Sequence, residues 1–193
     1  MGQNKALLEL LGQPLIRLAL GVLQGTRLDP WIAGGAPELA RFAPVLPDQQ
    51  SGLGPLSGIC AALAASRHPY AVFLPVDLPL LAPHLIHVLL DHAERSQAAV
   101  ALFTREGFIE SFPVVLHRDT LASLQASLDS AQRGCLRAFQ TAATTLGKPI
   151  ELLPVENYPQ DPHHPIPPAH WFMNLNTPED FKRAVQHLKR PIA

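Results

Sequence analysis

The chain has 193 residues, 47% of them apolar and only 16% charged, which is enough apolar material for one well-buried core and excludes a disordered or linker protein. Lys and Arg number 15 against 16 Asp and Glu, for a net charge of −1 with no basic run, so no nucleic-acid surface is expected. No apolar stretch approaches the roughly 20 residues of a membrane span, and Cys60 and Cys135 stand alone without paired spacing, so the sequence predicts a cytoplasmic protein with no membrane partner and two structural thiols.

In chain order, Met1-Gly2-Gln3-Asn4-Lys5 runs into Ala6–Leu11 and a Gly12-Gln13-Pro14 turn. Pro14 suits a first helical position, and Leu15, Leu18, Ala19, Val22 and Leu23 form one apolar stripe behind it. Asp29–Ala33 reads as a strand that leaves through Gly34-Gly35, and Ala43–Pro47 as a second short strand ending at Asp48. The loop 51–58, Ser-Gly-Leu-Gly-Pro-Leu-Ser-Gly, feeds a helix starting near Pro55. The sequence then predicts a strand at Tyr70–Phe73, a helix over Pro83–Ala93 and strands at Ala98–Phe103 and Phe112–Leu116. One or two helices fall between Thr120 and Gln140, and a strand at Ile150–Leu153 follows. Alternation of this kind implies one α/β domain over residues 1–193, with a mostly parallel sheet and helices on both faces.

Asp77 stands out in Leu74-Pro75-Val76-Asp77-Leu78-Pro79, just past the carboxyl end of the strand Tyr70–Phe73. In open α/β sheets that edge is where ligands bind. The local residues equally allow a metal-holding carboxylate and an N-cap for the helix after Pro83. His84, His87 and Asp91 share helical spacing but are expected on the solvated face, because Leu85, Ile86, Leu89, Leu90 and Ala93 fill the opposite side. His163, His164 and His170 belong to a proline-rich stretch expected to be extended loop. Near the end, Trp171-Phe172-Met173 reads as an apolar strand. Thr177, Pro178 and Asp180 read as the cap, first turn and capping-box partner of a helix burying Phe181, Ala184, Val185 and Leu188. Capping leaves Asn174 and Asn176 unexplained; Asn176 could offer an uncharged oxygen to magnesium or donate to a phosphate.

Four motifs occur in order: Gly2-x-x-Lys5-Ala6-Leu7-Leu8, Gly54-Pro55-Leu56-Ser57-Gly58, Pro75-Val76-Asp77-Leu78-Pro79 and Asn174-Leu175-Asn176-Thr177-Pro178-Glu179-Asp180. Together they resemble the molybdenum cofactor guanylyltransferases and their wider nucleotidyltransferase relatives. The resemblance implies a Rossmann-like nucleotidyltransferase fold that transfers GMP from GTP to molybdopterin and releases pyrophosphate. By position it implies Lys5 on the triphosphate, Asp77 on Mg²⁺, Asp48 with Gly54 and Pro55 around the nucleotide, and Asn176 on the metal or the acceptor phosphate. It also implies transient contact with other proteins of molybdenum cofactor biosynthesis.

No protein nucleophile is evident in the sequence, and this chemistry needs none. The acceptor is a phosphate monoester, already nucleophilic at neutral pH, so the protein must supply alignment and charge neutralisation. The family pattern also opens with a strand and a Leu-Ala-Gly-Gly-x-Ser-x-Arg-Met phosphate loop, whose final Met corresponds to Met1. The expectation is therefore that the native protein starts upstream, and that the 193-residue chain is unstable or inactive toward GTP. Some relatives carry an asparagine where this chain has Gly34-Gly35. Two alternatives stay open at this level: a cytidylyltransferase acting on the same cofactor, and a non-catalytic nucleotide-binding protein lacking the loop.

Overall fold

Most runs rich in β-branched and aromatic residues, bounded by Pro and Gly, become strands, and the apolar-periodic segments between them become helices. The computed structural model describes residues 4–24, 26, 28–34, 36–47, 54–130, 134–159, 164 and 166–188. The order of elements is β1 (Glu9–Leu10), β2 (Gln13–Pro14), α1 (Leu15–Leu23), β3 (Ile32–Ala33), β4 (Val45–Leu46), α2 (Pro55–Ala65), β5 (Tyr70–Phe73) and α3 (His84–Ser96). It continues with β6 (Val100–Arg105), β7 (Phe108–His117), α4 (Leu121–Asp129), α5 (Cys135–Leu146), β8 (Ile150–Pro154) and α6 (Pro178–Leu188). The described residues form two compact units, one from Met1–Leu28, Leu74–His87 and Glu156–Ala193, the other from Asp29–Phe73 and Val88–Val155. Among the described residues no helix is long and apolar enough to cross a membrane.

The second unit holds a four-stranded sheet in the order β5-β7-β6-β8. The α/β class is as expected, and three strands run one way. The fourth, β7, lies antiparallel between β5 and β6, so this sheet is mixed where a mostly parallel one was expected, with β6–β8 as its one parallel ladder. The antiparallel member follows from a tight hairpin: Glu106 and Gly107 both have positive φ, 52° and 81°, the backbone of a two-residue turn that matches the twist of its strands. Strand side chains alternate between faces. Val100, Leu102, Val114 and Leu116 point to one face and pack with Ile59 and Leu63 of α2, Leu124 of α4 and Phe139 of α5. The alternate residues Ala101, Phe103 and Val115 are just as fully buried, so both faces are covered. β3 pairs in parallel with β4 as a separate two-stranded sheet. Burial pushes the Cys60 thiol up to about 11, helped by nearby Asp129, and raises Cys135 as well; both stay protonated, structural thiols at neutral pH.

In the first unit, Leu11 and Gly12 turn between β1 and β2 with positive φ (51° and 75°), and α6 packs on β1. Two expectations are corrected here. Trp171-Phe172-Met173 is not a strand: a 3-10 turn at Pro168–His170 leads into an irregular segment. Trp171 is fully buried, with Phe172 buried beside it, and its indole N–H donates to the Ile166 carbonyl at 2.9 Å. A buried aromatic whose N–H is satisfied by a nearby carbonyl needs no ladder. His84 does not share the solvated face of α3 with His87 and Asp91. Its ring meets Trp171 edge to face at 5.4 Å, because the first turn of the helix is flanked by this anchor. Trp171→Ala is therefore expected to lower stability by about 3–5 kcal/mol, the usual cost of emptying a large aromatic site. The urea midpoint reads it, and an unchanged midpoint would remove Trp171 as the anchor.

Candidate active site

Lys5 heads a 3-10 turn, Lys5–Leu7, whose start is capped by Asn4: the Asn4 side-chain oxygen accepts from the Ala6 N–H at 3.1 Å. Ala6, next in the turn, is buried and holds it in place. Asp77 sits in the turn after β5, ahead of the buried run Leu78, Leu80 and Leu81. Asn176 lies just before α6. These three residues, 72 and 171 positions apart from Lys5, meet in the first unit. The Lys5 ammonium donates to Asp77 Oδ2 at 2.7 Å and to Asn176 Oδ1 at 2.5 Å. Asp77 thus spends its carboxylate on Lys5 and not on a helix cap.

The backbone fixes the same arrangement. The Leu175 N–H donates to the main-chain oxygen of Asp77 at 3.0 Å, tying the two loops together. Thr177 and Asp180 form the expected capping box: Asp180 Oδ2 accepts from the Thr177 N–H at 2.8 Å, and the Thr177 hydroxyl oxygen accepts from the Asp180 N–H at 3.2 Å. The Thr177 hydroxyl and amide, the Asn176 amide and the Arg183 guanidinium together hold the Asp180 carboxyl far below the usual carboxylate range.

The Lys5 and Asp77 side chains are 37% and 22% exposed. An ion pair this open adds at most about 1 kcal/mol to stability. Fold stability is thus a thin reason for the cluster, whereas its chemistry is suggestive. One carboxylate oxygen and one amide oxygen, both hard donors, converge on the Lys5 ammonium, itself a cation. A magnesium ion takes hard oxygens, commonly one or two protein ligands, with phosphates and waters completing an octahedron. The donor set fits that ion. Among the described residues no group of three or more His, Cys, Asp or Glu converges into a larger metal cage.

Gly54 and Pro55 lie in the second unit at the start of α2. Gly54 has φ +76°, and a Cβ there would meet nothing within 4 Å, so the glycine answers to backbone conformation and not to crowding. Asp48 lies outside the described residues. Asn174 is exposed. Sequence reasoning missed the Leu175–Asp77 backbone link and gave Asp180 only a capping role. The positional signal for both was the short Asn-Leu-Asn-Thr spacing before α6.

The fold is that of nucleotidyltransferases: it matches the crystal structure of molybdopterin-guanine dinucleotide biosynthesis protein A from Archaeoglobus fulgidus with a TM-score of 0.76, over 96% of this chain and 90% of that one, at 21% identity. The family model of the MobA-like NTP transferase domain matches residues 1–145, and the chain belongs to that family. A probable molybdenum cofactor guanylyltransferase of Pelotomaculum thermopropionicum is 31% identical over 95% of this chain and 85% of its own length. The molybdenum cofactor guanylyltransferase of Rhodobacter capsulatus is 31% identical over 98% of this chain and 90% of its own.

Proposed function

We propose that this chain transfers GMP from GTP to molybdopterin and releases pyrophosphate. What carries the proposal is the meeting of Lys5, Asp77 and Asn176 at one point, in a family whose relatives at 31% identity are named guanylyltransferases. A phosphate oxygen of molybdopterin attacks the α-phosphorus of GTP. The new P–O bond forms as the bond to the β-phosphate bridging oxygen breaks, and pyrophosphate leaves with that electron pair. The attacking phosphate is a dianion with no proton to lose, so no general base is called for.

Asp77 would hold a magnesium ion, with Asn176 as a second oxygen ligand; when bound, the ion supplies positive charge at the reacting phosphates. Lys5 turns from Asp77 to the triphosphate and neutralises charge on the departing pyrophosphate. Asp48 and the Gly54–Pro55 turn hold the nucleotide. Transient contact with other proteins of molybdenum cofactor biosynthesis, in the cytoplasm, would hand the product on. The test is pyrophosphate release from GTP or CTP in the presence of molybdopterin and Mg²⁺. GTP-dependent release is expected. Equal or faster use of CTP would favour the cytidylyl alternative, and no release with either, from a folded chain, would overturn transfer altogether.

A further inference from the structure

The bonds made by Asp180 exceed what a helix cap requires. A capping box uses one bond from the acidic side chain to the cap residue's N–H and one bond back, and both are present here. Oδ2 also accepts from the Thr177 hydroxyl at 2.9 Å and from the Asn176 N–H at 3.0 Å, while Arg183 donates to Oδ1. The Asn176 N–H lies outside α6, so its bond does nothing for the helix. It fixes the backbone from which the Asn176 amide oxygen reaches the Lys5–Asp77 point. On the other flank, Leu175 is tied to the Asp77 main chain. The residue presenting the amide is therefore pinned on both sides, once to Asp77 and once to Asp180.

We infer that Asp180 is a positioning residue of the site: its carboxylate sets the Asn176 oxygen relative to Asp77 and thereby the affinity for a divalent cation bound together with nucleotide. The inference rests on the proposed nucleotidyl transfer, in which Asp77 and Asn176 share that cation. Partners one shell out from metal ligands commonly change metal affinity by about 10–100-fold when removed. Thr177 offers the contrast. Thr177→Val removes the hydroxyl part of the cap yet leaves the Asn176 N–H facing Asp180.

The test measures Mn²⁺ binding by the loss of the free-ion electron paramagnetic resonance signal. It uses a GTP analogue with a methylene bridge between the α- and β-phosphorus, and wild type, Asp180→Ala, Asp180→Asn and Thr177→Val. Circular dichroism and a urea midpoint accompany each protein. Asp180→Ala is expected to weaken Mn²⁺ about tenfold or more, while Thr177→Val loses comparable stability but stays within about twofold of wild type. Asp180→Asn keeps an acceptor oxygen and should fall between them; it replaces the alanine variant as the deciding protein if that one does not fold. Equal Mn²⁺ affinity in wild type and the folded Asp180 variants overturns the inference alone, as does an equal loss in Thr177→Val. A folded wild type that binds no Mn²⁺ with the nucleotide overturns the functional reading and this inference with it.

Discussion

Asp77→Asn is expected to leave the fold in place and to remove nucleotidyl transfer. The amide has the shape of the carboxylate, and the Leu175 N–H bond to residue 77 goes to the main chain, which the substitution leaves alone. The ion pair it breaks is 37% and 22% exposed, so stability should fall by no more than about 1 kcal/mol. Activity should fall much further, because among the described residues Asp77 supplies the charged oxygen at the point shared with Asn176, and the substitution removes it. Taking one preorganised charge-stabilising group from an active site typically costs about 10²–10³-fold in rate. Adding Mg²⁺ should recover part of it, since weaker binding is offset by concentration and misplaced charge is not. Pyrophosphate release across a Mg²⁺ titration, beside a urea unfolding curve, gives both numbers. If the variant turned over within about threefold of wild type at limiting Mg²⁺, Asp77 would be only half of a surface ion pair.

The elements punctuated by proline were the legible ones. Tyr70–Phe73 ends at Leu74-Pro75, and α2 begins at Pro55, both as the sequence predicts. β3 is shorter than the predicted Asp29–Ala33, because its partner β4 offers only Val45 and Leu46 and Pro30 has no N–H to give. β7 is longer than predicted. Glu110, Ser111 and Pro113 hide its first half from an apolar pattern, yet Pro113 is tolerated because the register with β6 slips between Leu102↔Val114 and Thr104↔Ile109. Bulges are where a strand accepts proline. Trp171–Met173 misled in the opposite direction: three large apolar residues in a row fit a buried strand and a buried turn alike, and only the Ile166 carbonyl under the indole decides. At the site, each residue type could be read from the sequence, but the meeting could not. Periodicity carries no information about a contact between Lys5 and Asn176, and the family resemblance gave Lys5, Asp77 and Asn176 separate roles without pairing them. Asp180 shows the complementary failure: its cap explained it well enough to hide its bond to Asn176.

Lys5→Ala should lose affinity for GTP and, at the same time, gain affinity for a divalent cation offered without nucleotide. The first effect follows from charge. A lysine on a phosphate makes charge-assisted bonds of about 1.5–3 kcal/mol, so GTP should bind roughly 10–100-fold more weakly. Lys5→Arg should restore only part of this, because a planar guanidinium cannot take the place of a compact ammonium. The second effect follows from the geometry. The ammonium lies 2.7 Å from Asp77 Oδ2 and 2.5 Å from Asn176 Oδ1, the same two oxygens a magnesium ion would take at about 2.0–2.1 Å. Two unit charges 4 Å apart near a protein surface repel by about 4 kcal/mol, and a divalent partner doubles that. Lysine and metal therefore exclude one another at this point. A triphosphate resolves the conflict by giving the ammonium new acceptors while bringing oxygens to the metal, so cation and nucleotide should bind wild type cooperatively. Truncating the lysine removes the competitor, and Mn²⁺ alone should then bind several-fold more tightly than to wild type, with less further gain when GTP is added. Free-ion resonance titrations with and without nucleotide measure all four affinities. Equal Mn²⁺ binding by nucleotide-free wild type and Lys5→Ala would show that the ammonium and the metal use different oxygens.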